Sequence, residues 1–86
     1  MKSYQLPTDQ ALVLMQINES REEDLSSLSE TLRLNKGKLI HIIKSLKNKG
    51  LIKIYDTAQD TWVRITSKGD KLVANLWPDS LVVVTY

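Results

Sequence analysis

The chain contains no cysteine. Disulfide staples and thiolate-held metals are therefore excluded. A single histidine, His41, cannot build a metal site alone. No stretch reaches the roughly 18 apolar residues that a membrane helix needs, and the first apolar run is too short and amphipathic for a signal peptide. There is no glycine-rich phosphate loop and no histidine–carboxylate arrangement. Glu22, Glu23 and Asp24 are consecutive, so they do not converge easily on one site and read as a solvated connection. These absences predict a soluble cytoplasmic protein that is not an enzyme and carries no cofactor. With 86 residues the chain makes one domain, 1–86, and Met1 fits a complete chain. Its stability should be a few kcal/mol, as for other domains of this size.

Acid is missing from one region. Residues Arg33 to Lys53 hold seven basic side chains (Arg33, Lys36, Lys38, Lys44, Lys47, Lys49 and Lys53) and not one acidic residue. The net charge is only +2, so the remainder of the chain stands at −5. A cationic block on an anionic body is an electrostatic footprint for a polyanion. It is equally what a solvated lysine-rich helix face looks like, so charge alone does not decide.

Hydrophobic periodicity orders the rest. Thr8 is an N-cap candidate, with Asp9 in the first turn, for a helix carrying Ala11, Val13, Leu14 and Ile17 to about Asn18. Leu6 can staple its start. The polar stretch Glu19–Asp24 reads as a surface connection. Leu25, Leu28 and Leu32 predict a short second helix, capped by Ser26 or Asp24. Asn35 offers the cap of a third, in which Leu39, Ile42, Ile43 and Leu46 fit an i, i+3, i+4, i+7 stripe. Gly50 suits the left-handed position after that helix. From Leu51 the period changes to that of strands. Leu51–Tyr55 and Thr61–Thr66 flank a polar turn, Asp56–Asp60, and predict a hairpin with Trp62 and Arg64 on one face and Val63 and Ile65 on the other. Thr66 or Ser67 then caps a fourth helix to about Trp77, which Pro78 stops. Leu81–Val84 reads as a last strand, within an apolar tail that runs to Tyr86.

The expected fold class is therefore α+β: mainly α with a small β-sheet. Two short helices joined by a tight turn make a helix-turn-helix, and a hairpin directly after the second is a wing. A three-helix core, the wing, a fourth helix and a C-terminal strand complete the domain.

Particular residues carry a family resemblance. Leu28-Ser-Glu-Thr-Leu-Arg-Leu-Asn35 resembles the helix, turn and cap of winged-helix regulators. Leu46-Lys-Asn-Lys-Gly-Leu-Ile52 is similar to the end of their reading helix. Ile65-Thr-Ser-Lys-Gly69 looks like the segment after the wing in MarR-type repressors, and Leu6, Gln10, Val13, Leu14 and Ile17 fit their opening helix. The resemblance covers roughly residues 6 to 76 and implies a DNA-binding transcriptional regulator. Departures are visible. Arg33 stands at a turn position that is usually glycine, where a left-handed backbone would cost about 1 kcal/mol. The wing tip, Asp56-Thr-Ala-Gln-Asp60, is acidic where the family carries arginine. The family's long dimerisation helices, and the effector pocket beside them, do not fit in this length.

With the leucine–isoleucine stripe turned inward, about 100° per residue puts Gly37, Ile40, His41, Lys44 and Asn48 outward. The resemblance implies base reading at Lys36, Gly37, Lys38, Ile40 and His41, by the helix at roughly Asn35–Lys49. Lysine donates to guanine or neutralises phosphate, and His41 either donates or accepts at a base edge or is an exposed histidine with no task. Ile40 either contacts a thymine methyl or packs against the second helix or a partner, and Gly37 permits close backbone approach. Lys44 and Lys53 suit phosphates; the amides of Ser26 and Ser27 could hold one too, although simple capping accounts better for their side chains. Arg64 can touch the backbone from the wing. Trp62 is a base-stacking candidate that packing explains equally well, and Trp77 and Met15 read as core.

Two function classes follow. The first is sequence-specific binding of double-stranded DNA by a regulator, expected as a homodimer, with the tail Leu81–Tyr86 as a candidate contact. The alternative is a protein-interaction winged helix without DNA reading, suggested by the acidic tip, the outward Ile40 and the apolar tail.

Overall fold

The computed structural model describes residues 6–76. The elements run α1 (Thr8–Ser20), β1 (Glu22–Asp24), α2 (Leu25–Leu32), α3 (Lys36–Asn48), β2 (Ile52–Asp56), β3 (Thr61–Ile65) and α4 (Ser67–Leu76). The strands form one antiparallel sheet in the order β1–β3–β2. The expected α+β winged arrangement is present, with one strand more than the hairpin. The expected stop at Trp77 and Pro78 and the final strand within Leu81–Tyr86 lie outside the described residues.

The predicted apolar stripes meet in one core. Val13, Leu14 and Ile17 of α1 pack with Leu25 and Leu28 of α2, Leu39, Ile42, Ile43 and Leu46 of α3, and Val63 and Ile65 of β3. Leu72 and Val73 close the core from α4, and Leu6, Leu32, Leu34 and Ile54 pack half-buried at its margin. Met15 is half-buried on α1 rather than within this cluster.

Caps set the boundaries. Asn35 caps α3 by accepting from the Lys38 amide at 2.8 Å. Asp24, of the two candidates, caps α2 through the Ser27 amide at 3.1 Å. Thr66, rather than Ser67, caps α4, its Oγ1 accepting from the Gly69 amide at 3.0 Å. Thr8 is not a cap. Pro7 holds that position with no side-chain bond, and its carbonyl accepts the Ala11 amide at 2.9 Å. A proline fixes its own φ near the required value and needs no donor there, so Thr8 becomes the first helical residue.

Two helix ends use the same closure. After α3, Gly50 has φ 77°, its amide bonds the Lys47 carbonyl at 2.8 Å, and the Leu51 amide bonds the Leu46 carbonyl at 3.0 Å. After α2, Arg33 takes the glycine-like role at φ 57°, ψ 42°, and the Leu34 amide reaches the Ser29 carbonyl at 3.1 Å. This left-handed geometry crowds a Cβ against the following carbonyl, at about 1 kcal/mol or more. Arg33→Gly is therefore expected to raise the melting temperature by a few degrees, part of the gain being returned through a freer unfolded chain. An unchanged or lower value in a thermal melt would show that Arg33 carries no strain.

The connection Glu19–Asp24 is corrected in part. Its last three residues form β1, paired as Glu22↔Arg64, Glu23↔Val63 and Asp24↔Trp62. Their intrinsic strand preference is low. The pairing comes from position, because Arg21 turns the chain at φ 72° and its carbonyl accepts the Ile65 amide at 3.1 Å. The Arg21 guanidinium also forks onto Asp70 of α4, at 2.7 and 3.0 Å, and Asn18 donates to the same carboxylate. The bond from Arg21 holds the Asp70 carboxyl below the usual carboxylate range.

Candidate nucleic-acid interface

The inward stripe of α3 fixes what the helix shows to solvent. Leu39, Ile42, Ile43 and Leu46 are at most 5 % exposed, so the rotation of the helix is set by packing. Lys36, Gly37, Lys38, Ile40, His41 and Lys44 are all exposed; Gly37, Ile40, His41, Lys44 and Asn48 lie opposite the stripe, with Lys36, Lys38 and Lys47 on its flanks. No acidic residue lies in the first turn. The lysines there therefore sit at the positive end of the helix dipole, which suits a polyanion better than any cation.

Lys49 is withdrawn from the cationic block. Its ammonium donates to Gln10 Oε1 of α1 at 2.7 Å, so it braces α1 against α3.

Lys53 and Arg64 form a second group. They are opposite one another across β2 and β3 and exposed on the outward face of the sheet, while Ile54 and Val63 point to the helices. Arg64 is not free of acid, for its Nε lies 3.8 Å from Glu22 of β1. The Tyr55 hydroxyl donates to the same Glu22 carboxylate at 3.0 Å. Desolvation first, and then that bond, raise the tyrosine's pKa. Trp62 is half-buried in the neighbouring row, between Asp24 and Tyr55. The sheet face thus mixes both signs, whereas the α3 face carries one.

The amides at the start of α2 are already occupied. Ser27 donates to Asp24 and Ser26 donates to Asp60 Oδ2 at 3.4 Å. Asp60, at the end of the wing turn, also accepts from the Thr61 amide at 2.7 Å. The Ser26 hydroxyl, followed by the Thr61 amide, lowers its pKa, which keeps it a carboxylate. Ser26 and Ser27 are thus corrected as a phosphate site, since two carboxylates hold the place. Nothing in the local sequence linked Asp60 to Ser26, because they lie 34 residues apart.

The wing and α3 enclose a small apolar groove of about 190 Å³, lined by Leu25, Ile40, Ile43, Lys44, Ile54 and Thr61. The wing tip is short and bonded to itself, with the Thr57 amide on the Asp60 carbonyl at 2.8 Å. Among the described residues no helix is long and apolar enough to cross a membrane, and no cluster of three or more His, Asp or Glu residues could hold a metal ion.

A tri-helical core with a strand-paired wing and an outward basic helix is an arrangement known from solved structures. A transcriptional regulator homologue from Pyrococcus horikoshii superposes with a TM-score of 0.80 at 22 % identity, covering 91 % of this chain and 81 % of that one. AbsC, a MarR family transcriptional regulator from Streptomyces coelicolor, gives 0.83 at 19 %, covering 92 % and 57 %. A mutant MarR from E. coli complexed with operator DNA gives 0.76 at 19 %, covering 81 % and 52 %. The chain thus spans little more than half of the two MarR proteins. At these identities the likeness shows the fold. A comparison with curated proteins finds no match. The family described as winged helix DNA-binding domain matches residues 6–69, from the staple residue Leu6 through both helices of the motif, the wing and Gly69. With the match running through most of the chain and the fold agreeing with it, the chain belongs to the winged helix DNA-binding domain family.

Proposed function

We propose that this chain is a cytoplasmic transcriptional regulator, a single domain over 1–86 without catalytic activity, which binds double-stranded DNA by laying α3 in the major groove. The observation that carries this reading is the single-sign outward face of α3. Its lysines project from a helix whose rotation is locked by a buried stripe. Lys36, Lys38 and His41 at its N-terminal half are the base-edge donors, and Lys44 contacts phosphate. Lys53 and Arg64 reach the backbone from the sheet, Arg64 less strongly because Glu22 competes for it. Family membership supports the reading, as does the operator DNA bound by the similar E. coli protein. Two copies on a pseudo-palindrome follow from the way helix-turn-helix domains read paired half-sites.

Titration of the full chain against a random-sequence duplex tests the electrostatic core of the proposal. With about four phosphates neutralised per copy, affinity should fall about 10²-fold between 50 and 200 mM salt. Binding that ignores salt, or no binding at the lower salt, would refute it.

A protein-interaction role is favoured by one observation, the exposure of Ile40 beside an apolar groove. Reversal of Lys36, Lys38 and Lys44 to glutamate separates the two roles, since it should abolish DNA binding and leave a partner contact intact.

A further inference from the structure

Two neighbouring residues on the outward face of α3 are poorly explained by helix formation or by the buried core. Gly37 lies in the first turn of a helix, where glycine is a poor helix former. Its backbone is not left-handed, and a Cβ added there would meet just Asn35 Oδ1, at an ordinary 3.5 Å. The other two glycines have clear reasons: Gly50 has φ 77°, and a Cβ on Gly69 would collide with the Leu51 carbonyl. Ile40 is 40 % exposed, although every other leucine and isoleucine of α3 is buried. A β-branched apolar residue left this exposed gains only part of the benefit of burial and little from helix propensity.

The two belong together. They are three residues apart, hence adjacent on one helix face. A helical side chain covers the turn before its own Cα, so Ile40 covers the turn that contains Gly37. The result is an open step at Gly37 with an apolar wall at Ile40, flanked by Lys36 and Lys38. Ile40 also lines the groove with Ile43 and Ile54, so the wall has support behind it.

We propose that Gly37 and Ile40 form a notch that takes the C5-methyl of one thymine in each half-site. The inference rests on the DNA-binding reading above and adds a base preference to it. The other major-groove edge groups are hydrogen-bond donors or acceptors, and the thymine methyl is the apolar one. A donor or acceptor set against Ile40 would lose water and find no partner. The missing side chain at Gly37 leaves the methyl its room.

The test uses the full-length chain and duplexes enriched by it from a random pool. Each thymine is replaced in turn by deoxyuridine, which deletes the methyl and nothing else. One position per half-site should weaken binding about three- to fivefold. Ile40→Ala should show the same loss on the thymine duplex and no further loss on the uracil duplex. Gly37→Ala should bind the thymine duplex about tenfold more weakly, recover part of that on uracil, and melt at a higher temperature than the parent. The higher melt shows that lost binding is not lost folding. The inference is overturned if no uracil position changes affinity, or if Ile40→Ala responds to uracil as the parent does. If the parent chain enriches and binds no duplex at all, the DNA-binding reading fails and the notch falls with it.

Discussion

Reversing Lys36, Lys38 and Lys44 to glutamate is expected to abolish duplex DNA binding without harming the fold. The three lysines are exposed, Lys44 on the outward face of α3 and Lys36 and Lys38 on its two flanks, and the change moves the net charge from +2 to −4. Three phosphate or base contacts disappear and three repulsions replace them. At one released counterion per phosphate, the affinity for any duplex should drop by at least about 10³ at low salt. Folding responds in the opposite direction. Positions 36 and 38 are in the first turn of α3, where an acid is favoured by the helix dipole and a lysine is not, by about 0.3–1 kcal/mol each. The triple variant should therefore melt at or slightly above the temperature of the parent. Anisotropy titration beside a thermal melt reads both. A variant that folds and still binds duplex within tenfold of the parent would remove α3 from the interface. A partner protein captured equally by parent and variant would favour the interaction role.

Gly69→Ala should be the most damaging small substitution away from the interface. Gly69 sits in the first turn of α4, where a Cβ would run into the Leu51 carbonyl oxygen and crowd Ile65 Cδ1 and Cγ1 at 3.0 and 3.1 Å. That carbonyl is committed, since it accepts the Thr66 amide at 3.1 Å. Thr66 Oγ1 in turn donates to the Gly50 carbonyl at 2.8 Å and accepts from the Gly69 amide. The end of α3, the start of β2 and the start of α4 thus share one knot of hydrogen bonds. A methyl group inserted into it must push α4 away or break the knot. Overpacking of this kind costs about 1–3 kcal/mol, occasionally more. For a domain of this size that lowers the melting temperature by about 10 °C or more. A melt within about 2 °C of the parent would show that α4 moves freely at this point.

The parts of the fold legible in the sequence were those written in local periodicity and caps. Leu39, Ile42, Ile43 and Leu46 define one helix face from spacing alone, and Asn35 and Gly50 mark its ends. The outward face followed by subtraction. The parts not legible depend on contacts between distant residues. Glu22, Glu23 and Asp24 have poor strand propensity and pair because β3 runs beside them. Arg21 takes a positive φ because the chain must turn from α1 into that strand. The loss of the α2 amides to Asp60 is a contact across 34 residues, and the reach of Lys49 to Gln10 spans 39. Each changes the expected interface: one removes a phosphate site and the other removes a cation. The single Thr8 error was local, because a proline one residue earlier did the same work without a side chain.

The strand β1 has a consequence for association between chains. Among the described residues β1 and β2 are the two edges of a three-stranded sheet, and a sheet edge is a template for another chain. At β1 the edge is short and its side chains are Glu22, Glu23 and Asp24. A second copy approaching this edge in either direction would bring acid against acid at every step, and like charges opposite each other weaken strand pairing. The triplet whose Glu22 lies beside Arg64 therefore also guards an otherwise sticky margin against zipping to a second copy.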